Sequence, residues 1–253
     1  MTDVLILSYH AVSTTWPAAL SVTPDALDRQ LTRLLERGYR ATTVHDAVHA
    51  PPGKRTLALT FDDAYRSVIE LALPVLARAG VPATVFAPTD YIGSERPMVW
   101  PGIDHWQHGP HAAETIAMSW DELRALAAAG WEVGAHTCSH PWLTTLGDDE
   151  LERELRGSRE RLTQELGVAC RSIAYPFGDH DARVVAATDA AGYTAALTVP
   201  DDLVEYGPLR WPRVGIYHGE SALSFRAKVS PGVRRLRRSP VAPFVLRAVR
   251  SRR

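Results

Sequence analysis

The sequence predicts an α/β fold: one domain built on a parallel sheet, either closed into a barrel or wound as an open sheet. Three observations lead there. Short apolar runs alternate with helix-period segments along most of the chain, the pattern of repeated strand–helix units. No linker-like stretch interrupts that alternation. Several of the apolar runs end abruptly in charged or polar residues, as strands do when a parallel sheet delivers its reactive groups to one rim.

Taken in order, Val4 to Tyr9 reads as a first strand with His10 just past its end. Thr23-Pro24 supplies an N-cap and a first-turn proline for a helix, Asp25 to Arg37, that carries Leu27, Leu31, Leu34 and Leu35 at helical spacing and stops at Gly38. Strands follow at Arg40–Val44 and Thr56–Phe61, then a helix from Tyr65 to Ala79 with Pro74 as an expected kink. After the strand Ala83–Ala87, residues 88–118 show no periodicity, and a loop of that length in a compact domain is usually functional. Ser119 and Glu122 form a capping box for a helix to Ala129, followed by a strand, Trp131–Ala135. Asp148 opens a long charged helix to Leu166. The remaining elements are the strand Arg171–Tyr175, the helix Ala182–Ala191, the strand Tyr193–Val199 and a last strand, Trp211–Tyr217.

With 253 residues, 45% of them hydrophobic and 23% charged, the chain has the composition of a globular protein able to bury a large core. A net charge of −1 carries no nucleic-acid footprint, and no glycine-rich phosphate loop follows a strand. The first residues lack the pattern of an export signal, and no apolar run reaches membrane-spanning length, so a cytoplasmic protein is expected. Two cysteines, Cys138 and Cys170, give no disulfide framework. The expected division is a barrel over 1–230 and a basic tail over 231–253, rich in arginine from Arg234 to Arg253. That tail reads either as a frayed terminus or as a peripheral contact with an anionic membrane at its inner face.

The chemistry concentrates where strands end. Leu57-Ala58-Leu59-Thr60-Phe61 runs into adjacent carboxylates, Asp62 and Asp63. Two ionised carboxylates beside a buried strand repel and desolvate each other, so both are tolerated only with compensation, for which a bound cation is the common solution. One aspartate alone has a simpler use, capping the following helix. The strand at Trp131–Ala135 delivers His136 and His140, four residues apart, so that one helical turn would point both imidazoles the same way. With one carboxylate they make a two-histidine, one-carboxylate site with positions open for water and substrate. The other strand ends deliver His10, Pro176-Phe177-Gly178 and His218. Trp100 and Trp106 in the long loop either stack on a sugar ring or anchor the loop.

Thr60-Phe61-Asp62-Asp63 resembles the first motif of the NodB-homology polysaccharide deacetylases, carbohydrate esterase family 4. His136-Thr137-Cys138-Ser139-His140 matches their second motif, and Ala174-Tyr175-Pro176-Phe177-Gly178 resembles their third. The resemblance spans roughly Val4 to Gly219 and implies a distorted (β/α) barrel of about seven parallel strands with a metal-dependent de-N-acetylase activity. It assigns Asp62 as general base and Asp63, His136 and His140 as ligands of a divalent metal, zinc foremost, with cobalt or nickel as alternatives. It places the Phe177 backbone N–H at the oxyanion and Tyr175 and Pro176 along a carbohydrate substrate. The chain departs from the pattern where Ala174 stands in place of the arginine that orients the base, and Arg213 is the candidate replacement. Leu7-Ser8-Tyr9-His10 looks like a subgroup resembling the poly-N-acetylglucosamine deacetylases, whose acid histidine is N-terminal; this makes His10 the preferred general acid over His218. The alternative functions are an O-acetyl esterase or a deformylase on a lipid-linked sugar, and a carbohydrate-binding barrel without catalysis.

Overall fold

The computed structural model describes residues 2–199 and 207–237. In chain order the elements are β1 (Asp3–Tyr9), β2 (Ala11–Val12), β3 (Ser21–Val22), α1 (Pro24–Glu36), β4 (Arg40–Thr42), α2 (Val44–His49) and β5 (Arg55–Phe61). Then come α3 (Leu73–Arg78), β6 (Thr84–Ala87), α4 (Trp120–Ala128), β7 (Glu132–Ala135), α5 (Asp148–Glu152), α6 (Ser158–Leu166), β8 (Ser172–Ala174), α7 (Ala182–Ala190) and β9 (Ala195–Thr198). The last are β10 (Trp211–Pro212), β11 (Val214–Gly215), α8 (Ala222–Lys228) and α9 (Pro231–Arg237).

All pairings of the main sheet are parallel, in the order β10-β9-β8-β7-β6-β5-β1-β11, with β4 added beside β5. The two outermost strands of that order are consecutive in the chain. Trp211 and Pro212 pair with Leu197 and Thr198 of β9, while Val214 and Gly215 pair with Leu7 and Ser8 of β1. The predicted last strand is therefore a short bridging segment that joins both edges and nearly closes the barrel. Arg213 is its midpoint, with its N–H donated to Thr198 O at 3.0 Å. Counting that segment once, the barrel has the seven parallel strands that the resemblance implies.

Alternation along the strands separates two apolar layers. Leu5, Leu7, Leu57, Leu59 and Val85 pack outward in the main core, beneath helices that contribute Leu27, Leu31 and Leu126. Ile6, Ala58, Phe86, Ala174 and Leu197 fill the barrel interior with Val44 and Ala47 of α2. α2 closes the end where the strands begin: Val44 N–H donates to Thr84 Oγ1 at 2.9 Å and His45 N–H to Glu132 Oε2 at 3.0 Å. Gly134 is obligatory in this narrow interior, since a Cβ there would lie 2.5 Å from the Phe86 ring and 2.8 Å from Ser172 O.

Local signals explain most boundaries. Thr23 caps α1 through its hydroxyl, and Ser119 and Glu122 complete a capping box on α4. Two expected helices are not uniform. The helix from Tyr65 opens with a widened π-turn at Val68–Ala72, just before Pro74, whose ring cannot continue a regular ladder. The long charged helix is broken by a second π-turn, Arg153–Gly157. Residues 88–118 form a packed loop with short 3₁₀ turns at Asp104–Trp106 and Ala112–Thr115, burying Met98, Trp100 and Ile103.

The segment expected to begin a separate tail at 231 continues the fold instead. α9 buries Arg234, which donates to Asp3 Oδ1 at 2.7 Å and Val4 O at 3.1 Å. Its charge is neutralised by an aspartate on β1, which is why a basic segment packs here. Arg238, Arg247, Arg250, Arg252 and Arg253 lie outside the described residues. No helix among the described residues is long and apolar enough to cross a membrane.

Candidate active site

The C-terminal rim of the barrel gathers Asp62 and Asp63 after β5, His136 and His140 after β7, Phe177 after β8, His10 after β1 and Arg213 from the closing strand. All line one cleft of about 670 Å³. His136 follows β7 directly, so strand direction alone aims it. His140 arrives differently from the helical turn expected. Residues 137–140 form an irregular turn with positive φ at Thr137 (65°) and His140 (64°), held by His140 N–H donating to Thr137 Oγ1 at 3.0 Å. Asp63 (67°), Ala64 (49°) and Phe177 (59°) share that left-handed conformation. Every non-glycine residue of positive φ among the described residues thus lies in one of the three rim motifs or, for Ala64, directly after one. Backbone strain of this kind persists only where surrounding contacts over-determine it, and it collects at functional sites.

The two adjacent carboxylates have different surroundings. Asp62 is buried and receives a bidentate clamp from Arg213, Nη1 to Oδ1 at 2.5 Å and Nη2 to Oδ2 at 2.8 Å, with Ser8 Oγ at 3.3 Å. Burial alone would raise its carboxyl pKa, but the Arg213 guanidinium, helped by His136 and His10, holds it well below the usual carboxylate range. Asp62 is therefore ionised at neutral pH. Arg213 also donates to Thr60 Oγ1 at 3.0 Å, which fixes the guanidinium against the floor of the cleft. A guanidinium from the closing strand thus pairs with Asp62, a contact that the methyl side chain of Ala174 cannot make.

Asp63 faces imidazoles instead. Its Oδ1 lies 3.3 Å from His136 Nε2 and 3.4 Å from His140 Nε2, yet is buried with no hydrogen-bond partner. One ligating atom from each of the three side chains lies within 4.8 Å of the others. An orphaned carboxylate oxygen opposite two imidazole nitrogens fits a cation in chemistry and in charge. His136 is oriented by its Nδ1, 2.7 Å from Ala174 O, the outer contact a ligating imidazole commonly has. Burial, then the neighbouring His136, pushes the His140 pKa down to about 3, so this imidazole is neutral and available to a metal. His140 Nδ1 has no partner; its ring is instead covered by Trp100, stacked at 4.0 Å and 18°.

The two acid candidates separate cleanly. His10 lines the cleft with Nε2 3.8 Å from Asp62 Oδ2. His218 is exposed and outside the cleft lining, its backbone N–H donated to Ala19 O. The last strand runs out at Gly215, so residue 218 has already turned away from the rim. Trp106 does not reach the cleft either: it packs edge-on against Trp16 at 5.8 Å and anchors the loop, because Trp16 provides the apolar partner that the sequence spacing hides. Tyr175 is a buried wall residue whose hydroxyl donates to Leu209 O, and Pro176 is buried and does not line the cleft. Cys138 points to the neighbouring helix, its Sγ against Arg153 O at 3.6 Å.

Two lining residues have no motif to reveal them. Trp142 is 46% exposed and lies flat on Phe177, 4.1 Å between centroids and 9° between planes. Tyr217 is 44% exposed on the closing-strand side. The sequence signal for Trp142 is its place two residues after His140; only the fold leaves its ring open.

The polysaccharide deacetylase family model matches residues 49–196. A search of curated proteins finds the "Putative polysaccharide deacetylase YxkH" of Bacillus subtilis (strain 168), 23% identical over 231 residues, which cover 88% of this chain and 75% of that protein. Chitin deacetylase 1 of Cryptococcus neoformans var. grubii is 27% identical over 146 residues, 58% of this chain and 26% of the relative. The poly-beta-1,6-N-acetyl-D-glucosamine N-deacetylase of Staphylococcus aureus (strain MSSA476) is 26% identical over 134 residues, 49% of this chain and 41% of the relative. Among solved structures, the Streptococcus pyogenes deacetylase PplD in complex with acetate superposes with a TM-score of 0.77 at 23% identity, covering 91% of this chain and 99% of that one. IcaB from Ammonifex degensii gives 0.68 at 20% identity, covering 94% and 98%. With more than half of its length matched by the family model and the barrel shared with these structures, the chain belongs to the polysaccharide deacetylase family.

Proposed function

We propose that the protein is a metal-dependent hydrolase that removes the N-acetyl group from an amino sugar within a glycan, a lipid-linked sugar or a glycoside. The observation that carries this reading is the division of labour between adjacent carboxylates: Asp62 clamped by Arg213, Asp63 opposite two imidazoles, both lining one cleft. Capping a helix would use one of them and leave the histidines without a purpose. The names of the chitin and poly-N-acetylglucosamine relatives support an acetamido sugar. The open face of Trp142 supports a sugar as well, since indole stacks on the apolar face of a pyranose.

Asp63, His136 and His140 would hold the cation, and this mixed nitrogen and oxygen donor set suits zinc, cobalt or nickel. A bound divalent ion supplies Lewis-acid polarisation of the acetamide carbonyl and acidifies the attacking water, which a base as weak as the clamped Asp62 requires. Asp62 accepts the proton of that water, and Arg213 keeps its carboxylate ionised and aimed. The Phe177 backbone N–H donates to the developing oxyanion. His10 delivers a proton to the departing amine, which is a poor leaving group until protonated. The walls formed by Trp100 and Tyr175 limit water around these groups.

The test is mass-spectrometric screening of N-acetylated glycans for loss of acetyl, run on the wild type and Asp62→Asn with metal content measured on both. The wild type should release acetate with about one zinc bound. The variant should keep its metal and lose about 10²–10⁴ in rate, the usual contribution of a general base. A variant with undiminished turnover, or a wild type that takes up no cation, overturns the reading.

A further inference from the structure

Among the described residues three acidic residues are buried as a whole, backbone and side chain together: Asp62, Asp63 and Glu154. The first two belong to the site; the third is unused by the mechanism above. Glu154 lies in the π-turn between α5 and α6, on the helix face that also buries Leu151, Leu155, Ser158 and Leu162. A charged residue at such a position needs partners. Its partners are all on the turn between His136 and His140. Glu154 Oε2 accepts from Cys138 N–H at 2.8 Å and Ser139 N–H at 2.9 Å, and Oε1 accepts from Ser139 Oγ–H at 2.7 Å. Two successive backbone N–H groups beside a left-handed residue form an anion-binding concavity, and the carboxylate fills it.

We propose that Glu154 is a positioning residue of the metal centre, its carboxylate pinning the strained turn that sets His140 opposite Asp63 and His136. The inference rests on the metal-site reading above. The widened helical turn serves the same end. Its loosened carbonyls are satisfied by Ser158 Oγ–H, donating to Glu154 O at 2.7 Å, and by Tyr193 Oη–H, donating to Leu155 O at 3.0 Å. On its far side the turn is fastened by Thr89 N–H to Thr137 O and Asp90 N–H to Cys138 O, contacts that do not involve Glu154.

Zinc affinity is measured by competition with a chromophoric chelator on the wild type, Glu154→Gln, Glu154→Ala and Ser139→Ala, alongside melting of the metal-free proteins. The Glu154 variants should bind zinc about 10–100-fold more weakly, as for other outer partners of metal ligands. Ser139→Ala, which removes one of three hydrogen bonds, should show a smaller loss in the same direction. Folded Glu154 variants with wild-type zinc affinity overturn the proposal, even if their melting temperatures fall, because that pattern assigns Glu154 to the fold alone. Should neither Glu154 variant fold, unchanged affinity in Ser139→Ala overturns it. A wild type that binds no zinc sinks the metal-site reading itself, an outcome separate from equal binding by wild type and variants.

Discussion

Arg213→Met removes the guanidinium that holds Asp62, the proposed general base, while keeping much of the side chain's length. Three hydrogen bonds disappear together, those to Asp62 Oδ1, Asp62 Oδ2 and Thr60 Oγ1. Asp62 is 3% exposed, so water cannot replace them. Breaking a buried pair from one side costs about 3–5 kcal/mol if the remaining charge stays where it is. Asp62 has an escape, which is to bind a proton. Burial is the largest influence on this carboxyl and pushes its pKa up; Arg213 is the largest influence pulling it down. Without the guanidinium the balance turns upward. In the wild type the depressed pKa contributes stability that is fully present above the unfolded-state value of about 3.9 and is lost as pH falls through the lower folded value. In the variant that contribution shrinks or reverses, so its deficit is greatest near neutrality and narrows on acidification. The acidic limb of kcat/KM should move up by at least about one pH unit, equivalent to about 1.4 kcal/mol. Arg213→Lys keeps a charge without the fork and should fall between. Combining Arg213→Met with Asp62→Asn should cost less stability than the sum of the single changes, by about 1–3 kcal/mol, because neither charge is then stranded. Unfolding free energies and rate profiles across pH measure each outcome. An Arg213→Met protein with the wild-type acidic limb and the wild-type stability at pH 7 would refute the clamp.

His10→Ala should lower kcat by about 10²–10⁴ at neutral pH, while His218→Ala should leave it unchanged; a rate loss in the second variant alone would reverse the assignment of the acid. Gly134→Ala puts a methyl carbon against the Phe86 ring and the Ser172 carbonyl, and the backbone oxygen has no room to yield. A loss of about 1–3 kcal/mol is expected in denaturant unfolding, and an unchanged midpoint would show that the barrel interior adapts. Trp142→Ala should raise KM for acetylated oligosaccharides severalfold while shifting stability by no more than about 0.5 kcal/mol, because the ring is half exposed. A variant with wild-type KM and a lowered melting temperature would make Trp142 a cover for Phe177 instead of a platform.

The alternating strands and helices, the Asp-Asp at the end of β5 and the two histidines after β7 were legible in the sequence. Period-2 and period-3.6 patterning is a local property, and a carboxylate at the end of an apolar run is conspicuous wherever the chain goes. The same locality explains what was not legible. His10 and His218 each follow an apolar strand, and only the closure of the barrel shows that one faces the cleft and the other has passed the rim. Arg213 is a plausible partner of Asp62 in sequence, but its role depends on a five-residue segment that bridges both sheet edges and turns the guanidinium inward across 151 residues of chain. Trp100, Trp106 and Trp142 are equivalent to any composition rule, and they become a cover for His140, a loop anchor and an open aromatic face through neighbours distant in the sequence. The His136–His140 spacing suggested a helical turn, whereas the fold uses a strained one secured by a carboxylate from another element. Local physics set the elements and the ligand inventory. Which groups meet, and which face water, was decided by closure of the barrel, because burial and pairing are properties of the assembled surfaces.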